Sequence, residues 1–249
     1  MVLELRRVAS QEWELVYPQA YLELRGDLDQ AAELIEAGDY SGAEELLRPL
    51  LAQAPWCLDA RFHLASLLEA RGHPREAMKH WQLAVESGRR AFPNGFELGE
   101  EGLPWSRQPN RGFLRCLKGW GLALQERGRL AAALDTLREL LLLDPSDPLA
   151  ARPAALGAAL DLDRSEEALE LAQAWEESEP AEVSYGRALA LFGMSEKGKA
   201  THALQLALEA APGHAAELLG PPRPSQLAWQ RRWRRYPGAL AWLKKLGGG

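Results

Sequence analysis

A short signature returns along this chain at a fixed interval. Gly38-Asp39-Tyr40-Ser41-Gly42-Ala43 is followed 34 residues later by Gly72-His73-Pro74-Arg75-Glu76-Ala77, and after a longer gap by Gly128-Arg129-Leu130-Ala131-Ala132-Ala133. Asp163-Arg164-Ser165-Glu166-Glu167-Ala168 and Ser195-Glu196-Lys197-Gly198-Lys199-Ala200 keep the alanine and lose the glycine. Self-similarity of this period constrains the fold more than composition does, because each copy must be one supersecondary unit that hides its apolar surface against its neighbours.

The signature has a mechanical meaning. Glycine accepts left-handed dihedrals, so a helix can end there and the chain can reverse within a few residues. The alanine five residues on lets two helix backbones approach closely. Pro55, Pro145, Pro180 and Pro212 then close four of the units, since proline lacks an N–H and clashes with the preceding turn. The product is a helical hairpin. Runs such as Leu64-Ala65-Ser66-Leu67-Leu68 and Trp120-Gly121-Leu122-Ala123-Leu124, with Leu134, Leu137, Leu140 and Leu141 beyond, put apolar stripes on both helices. A single hairpin cannot cover them, so the expected body is all-α, a stack of hairpins.

These residues resemble the tetratricopeptide repeat (TPR) family, most clearly in Trp120-Gly121, Leu124, Gly128, Ala133, Leu137, Leu140 and Asp144-Pro145. The resemblance implies a right-handed superhelix of helical hairpins with a helical C-terminal cap. The expected divisions are a helical lead-in over 1–23, repeats one and two over 24–87, an insertion over 88–113, repeats three to five over 114–212, and a basic, tryptophan-bearing cap over 213–249. Further runs, Trp105 to Arg115, Tyr185 to Leu189, Ala211 to Gly220 and Tyr236 to Leu243, are similar to the TPR-bearing proteins related to the suppression of tumorigenicity seven family. That family implies no catalysis.

In TPR-like stacking the first helix of each repeat faces the groove. The resemblance therefore nominates Leu28, Ala32 and Glu36; Phe62, Ser66 and Glu69; Lys118, Leu122 and Glu126; and Tyr185, Leu189 and Phe192 as a partner-binding row. Its middle is apolar and aromatic, and its far ends are acidic, with Asp161 at the matching place in the fourth repeat. Carboxylates at a helix C-terminus oppose the macrodipole by about 0.3 to 1 kcal/mol, which suggests a use. The expected client is a protein or peptide segment with apolar anchors and basic residues.

The insertion widens the spacing from Gly72 to Gly128 to 56 residues and is rich in glycine and proline. Phe92, Phe96, Trp105 and Phe113 should pack it onto the body, and Trp105, Arg111, Phe113 and Arg115 form its motif; direct ligand contact is the alternative. The chain carries a net charge of -6, yet from Leu218 onward there are basic residues and no Asp or Glu. Arg231, Arg232, Arg234 and Arg235 then read as the solvated face of a cap whose tryptophans cover the last repeat. Binding of nucleic acid or an acidic surface through this tail is the second reading, with nucleic acid the less expected partner. A groove filled by the chain's own tail or insertion, or a homodimer, is the third.

Reactive chemistry is not expected. Gly193 to Ala200 nearly spells a phosphate-binding loop, but it lacks the Ser or Thr at its last place and falls on a turn between helices. The five histidines have no zinc-ligand spacing, and Cys57 and Cys116 sit in apolar stripes, pointing to a reducing compartment. The sequence thus predicts a cytoplasmic, non-enzymatic scaffold without cofactor or metal and without a membrane span.

Overall fold

The computed structural model describes residues 3–173, 179–223 and 226–247; the end of the fourth repeat and the last two glycines lie outside the described residues. The chain divides into two compact units, Met1–Leu149 and Ala150–Gly249.

The first unit opens with two short antiparallel strands, β1 (Glu4–Arg7) and β2 (Trp13–Val16), in a register that sets Leu5 against Leu15 and Arg7 against Trp13. A helical lead-in over 1–23 is therefore wrong up to Pro18. The period there is two: Leu3 and Leu15 are buried while Glu4 and Arg6 are exposed. The strands find their remaining backbone partners in the insertion. Trp13 N–H donates to Gly102 O at 2.9 Å, Gly102 N–H to Gln11 O at 2.8 Å, and Leu15 N–H to Asn110 Oδ1 at 2.9 Å. Asn110 is wholly buried and returns its amide to the carbonyls of Trp13 and Pro104. One asparagine thus ties two segments that are nearly a hundred residues apart in sequence.

Three helical hairpins follow: α1 (Tyr21–Glu36) with α2 (Tyr40–Gln53), α3 (Leu58–Ala70) with α4 (Pro74–Arg89), and α5 (Arg111–Glu126) with α6 (Leu130–Leu143). Between α4 and α5 the insertion ends in one 3-10 turn, Gln108–Asn110, so α5 begins three residues before the expected repeat. The insertion's aromatics pack as a chain, with Phe96 6.0 Å from the Trp13 ring, Phe92 4.6 Å from Phe96, and Phe113 5.8 Å from Phe92. Phe113 is fully buried and lies where any side chain at position 88 would stand, so Gly88 makes room for it.

The second unit holds two more hairpins, α7 (Arg152–Asp161) with α8 (Ser165–Gln173) and α9 (Ala181–Gly193) with α10 (Lys197–Ala210), then α11 (Pro212–Leu219), α12 (Leu227–Arg235) and α13 (Ala239–Gly247). The reversals obey the dihedral argument: φ is positive at Gly38, Gly72 and Gly128 (+79°, +75°, +71°), and Asp163 and Ser195 take the same left-handed place at +59° and +62°. The alanines that follow, Ala43, Ala77, Ala133, Ala168 and Ala200, are all buried, which is what close helix approach demands. Ser195 places the phosphate-loop-like run on a turn between α9 and α10, with no strand before it.

Candidate functional site

In the first unit the first helices of the three hairpins, α1, α3 and α5, lie side by side and make one face. Residues at i, i+4 and i+8 share a helix face, so the nominated triplets fall on it together. Ala32, Phe62, Ser66, Lys118 and Leu122 are half-buried there, Glu36, Glu69 and Glu126 are exposed, and Leu28 is buried, serving as floor rather than contact. A cavity of 440 Å³ opens on this face, lined by Leu28, Ala32, Glu36 and Phe62. The same cavity is also lined by Tyr21, Arg25, Asp29, Asp59, His63 and Gln108, which the sequence reading passed over. Their signal was present: Tyr21 and Arg25 continue the α1 stripe two turns and one turn earlier, Asp29 stands next to Leu28 within it, and Asp59 precedes His63 by one helical turn. A second hollow of 350 Å³ along β2 shares Tyr21, Arg25 and Gln108 as its wall.

The insertion motif splits between two jobs. Arg111 donates from Nε to Trp105 O at 3.0 Å and lies 5.1 Å from its ring. Arg115 sits between two aromatics, 5.2 Å from the Trp105 ring and 5.4 Å from Phe62, with Nη1 4.0 Å from Asp59 Oδ1. Asp59 also accepts the Tyr21 hydroxyl at 2.7 Å. These guanidiniums are held by ring faces, carbonyl and carboxylate, and they make one end of the cleft basic. Phe113, by contrast, turns into the core and belongs to the packing alone.

The other end is acidic. Arg71 pairs with Glu44, away from the groove, whereas Arg127 donates to the carbonyls of Ala123 and Pro74 at 2.9 and 2.7 Å and its charge still acts on Glu69. Among the described residues Glu36 and Glu126 join no ion pair. Glu69 is an exposed residue whose carboxyl is nevertheless partly desolvated where it accepts from Trp81 Nε1 at 3.2 Å, and that desolvation together with the nearby Glu126 holds its pKa above the usual range despite that bond and Arg127. Lys118 spends its ammonium on the Leu149 carbonyl and is not offered to a ligand. Burial lowers the pKa of His63, which keeps the imidazole neutral at pH 7. Behind the face lie two buried thiols, with Cys57 pushed up to about 12 by burial and Cys116 higher than its ordinary value for the same reason. Neither is a nucleophile in this state.

The second unit overturns part of the nominated row. Tyr185 and Leu189 are fully buried, and Phe192 stacks on Trp242 at 4.8 Å. Their face is covered by α12 and α13. Tyr185 donates its hydroxyl to Ala211 O at 2.9 Å, with the rings of His214 and Trp233 at 4.8 and 6.3 Å. Arg232 is also no surface arginine: it is 5% exposed, donates from Nε to Gly157 O at 3.0 Å, and pairs through Nη2 with Asp161 Oδ2 at 3.0 Å. The reason is geometric, since a nine-residue amphipathic helix laid on another helix must bury one stripe, and Trp229, Arg232 and Trp233 share that stripe. Arg231, Arg234 and Arg235 are exposed, and Arg235 pairs with Asp163.

Helical hairpins of this period, packed first helix against first helix, define a TPR-type repeat protein, a class that uses such faces as interaction surfaces. Solved structures agree in fold. YrrB, described as a TPR protein with an unusual peptide-binding site, matches at a TM-score of 0.58 and 16% identity over 86% of this chain and 98% of its own. A TPR protein from Parabacteroides merdae matches at 0.58 and 15%, over 93% and 75%, and Pseudomonas aeruginosa PilF at 0.55 and 18%, over 90% and 92%. The chain belongs to the Transcriptional repressor TCF25 family, whose model matches residues 24–223. This family, and not the suppression of tumorigenicity seven family, is the one the match supports. Comparison with the curated proteins found no match. Among the described residues no helix is long and apolar enough to cross a membrane.

Proposed function

We propose that this chain is a non-enzymatic interaction scaffold of a transcriptional-repressor family, and that the α1/α3/α5 cleft of the first unit holds a partner segment. The observation that carries the reading is the combination of an open cavity with fixed polarity: Arg111 and Arg115, held by Trp105 and Phe62, at one end and Glu36, which joins no ion pair among the described residues, at the other. A segment lying along it meets apolar floor at Leu28, Ala32, Phe62 and Leu122 and can place a basic residue against Glu36 or Glu126. The tail supports this over nucleic-acid binding, because Arg232 and Arg235 are committed to Asp161 and Asp163. A photo-crosslinking residue at Ser66 tests the proposal. It should capture one partner segment, and Phe62→Ala should weaken a synthetic copy of that segment at least tenfold. Capture from the opposite faces of α2 and α4, or unchanged affinity, would refute the cleft assignment.

A further inference from the structure

The second unit already shows what a face of this kind can hold. Numbering back from each left-handed turn residue puts the repeats in register. In α7 the positions ten, six and two before Asp163 are Pro153, Gly157 and Asp161, and in α9 those ten, six and three before Ser195 are Tyr185, Leu189 and Phe192. The α1/α3 pair carries Leu28, Ala32 and Glu36 beside Phe62, Ser66 and Glu69 at the same places. A small residue in the middle, a carboxylate on the last turn and an aromatic ring early on the neighbouring helix recur in both.

On α7/α9 that arrangement grips an arginine that lies over one indole and neighbours a second in sequence. A Cβ at Gly157 would stand 2.5 Å from Cζ of Arg232, so the small residue is what lets the guanidinium lie on the helix and reach Asp161. Trp229 lies 4.7 Å from the same guanidinium, and Trp233 packs toward Tyr185. On α1/α3 the corresponding place is the open cavity, and Glu36 has no ion pair among the described residues. The chemistry is adjusted consistently: Ala32 adds one carbon where Gly157 has none, which lifts an incoming guanidinium, and Glu36 is one methylene longer than Asp161 and can meet it there. Arginine suits the place better than lysine because its planar fork stacks on rings while donating to a carbonyl and a carboxylate together.

We infer that the α1/α3 cleft docks a helical partner segment carrying an arginine flanked by aromatic residues, in the pattern that Trp229, Arg232 and Trp233 present to α7/α9. This rests on the reading that the cleft binds a partner, and it names that partner's chemistry. Aromatic and arginine anchors are also the side chains that carry most of the energy at protein interfaces.

The probe is a labelled synthetic peptide of residues 226–238, titrated into the full chain by fluorescence anisotropy, with a benzophenone residue replacing Leu227 for mapping. Saturable binding is expected, with crosslinks on α1 or α3. Arg232→Gln in the peptide should weaken it at least tenfold while leaving its other arginines in place, and Glu36→Gln in the chain should weaken it comparably. The two changes together should cost no more than either alone. Absence of saturable binding, indifference to both substitutions, or crosslinks confined to α7 and α9 would overturn the inference. If the peptide fails while a partner segment is still captured at Ser66, only the inferred chemistry falls; loss of that capture is what removes the cleft reading itself.

Discussion

The α1/α3 and α7/α9 pairs are built on one register and differ in what covers them. Phe62 and Tyr185 occupy the same position, yet Phe62 is half-buried at the wall of an open cleft and Tyr185 is sealed beneath Trp233 and His214. Glu36 and Asp161 likewise share a place, and only Asp161 has an arginine. Register fixes where a side chain points; what covers it depends on which later helices fold back onto that face.

The comparison breaks or sharpens at matched positions. Tyr185→Ala should destabilise the second unit by about 3 to 5 kcal/mol, as removal of a buried ring from a packed core does, whereas Phe62→Ala should cost about 1 kcal/mol. Denaturant midpoints measure both, and equal losses would abolish the distinction between covered and open faces. An open cleft does not mean a loose core, so Cys57 and Cys116 should react with an aromatic disulfide reagent at pH 8 at least about a hundredfold more slowly than in denaturant. Rapid native labelling would show the first unit opening. Asp161→Asn, which leaves the nearly buried Arg232 without its carboxylate, should cost about 2 kcal/mol. Glu36→Gln should stay within about 0.5 kcal/mol in the same assay.

The smallest effect concerns Glu69. Partial desolvation of the carboxyl, with Glu126 adding to it, raises its pKa in the folded state, so stability from this group is present at low pH and lost as pH rises through the raised value. Glu69→Gln should therefore raise stability at pH 7 by about a few tenths of a kcal/mol, after allowance for solvent screening. The difference should vanish once pH falls below the ordinary glutamate value, where wild type is protonated in both states. A stabilisation that persists at low pH would assign the effect to packing instead.

How much of this could be read without coordinates follows from range. The turns at Gly38, Gly72 and Gly128 and the buried alanines after them are local in origin, because a left-handed dihedral and a missing side chain act on immediate neighbours. Asp163 and Ser195 were legible as degenerate copies for the same reason. The groove row was half legible. The TPR resemblance nominated Ala32, Phe62 and Glu36 together, and the cavity unites them, but it also nominated Tyr185 and Leu189, which lie under another helix. The stripe also ran one turn further than it was read, at Arg25 and Asp59. The strand pair was missed because its alternation is short and its partners, Gly102 and Asn110, stand far along the chain.

By itself, then, the sequence determined the hairpins, their period and which residues share one side of each first helix, because φ preferences and 3.6-residue periodicity are set within a few positions. Tertiary structure alone decided that β2 would be pinned by Asn110, that Arg232 would be buried on Asp161, and that one of two equivalent faces would be covered while the other stayed open. Those outcomes rest on contacts between segments some seventy to a hundred residues apart, and no local propensity encodes which distant side chain will arrive.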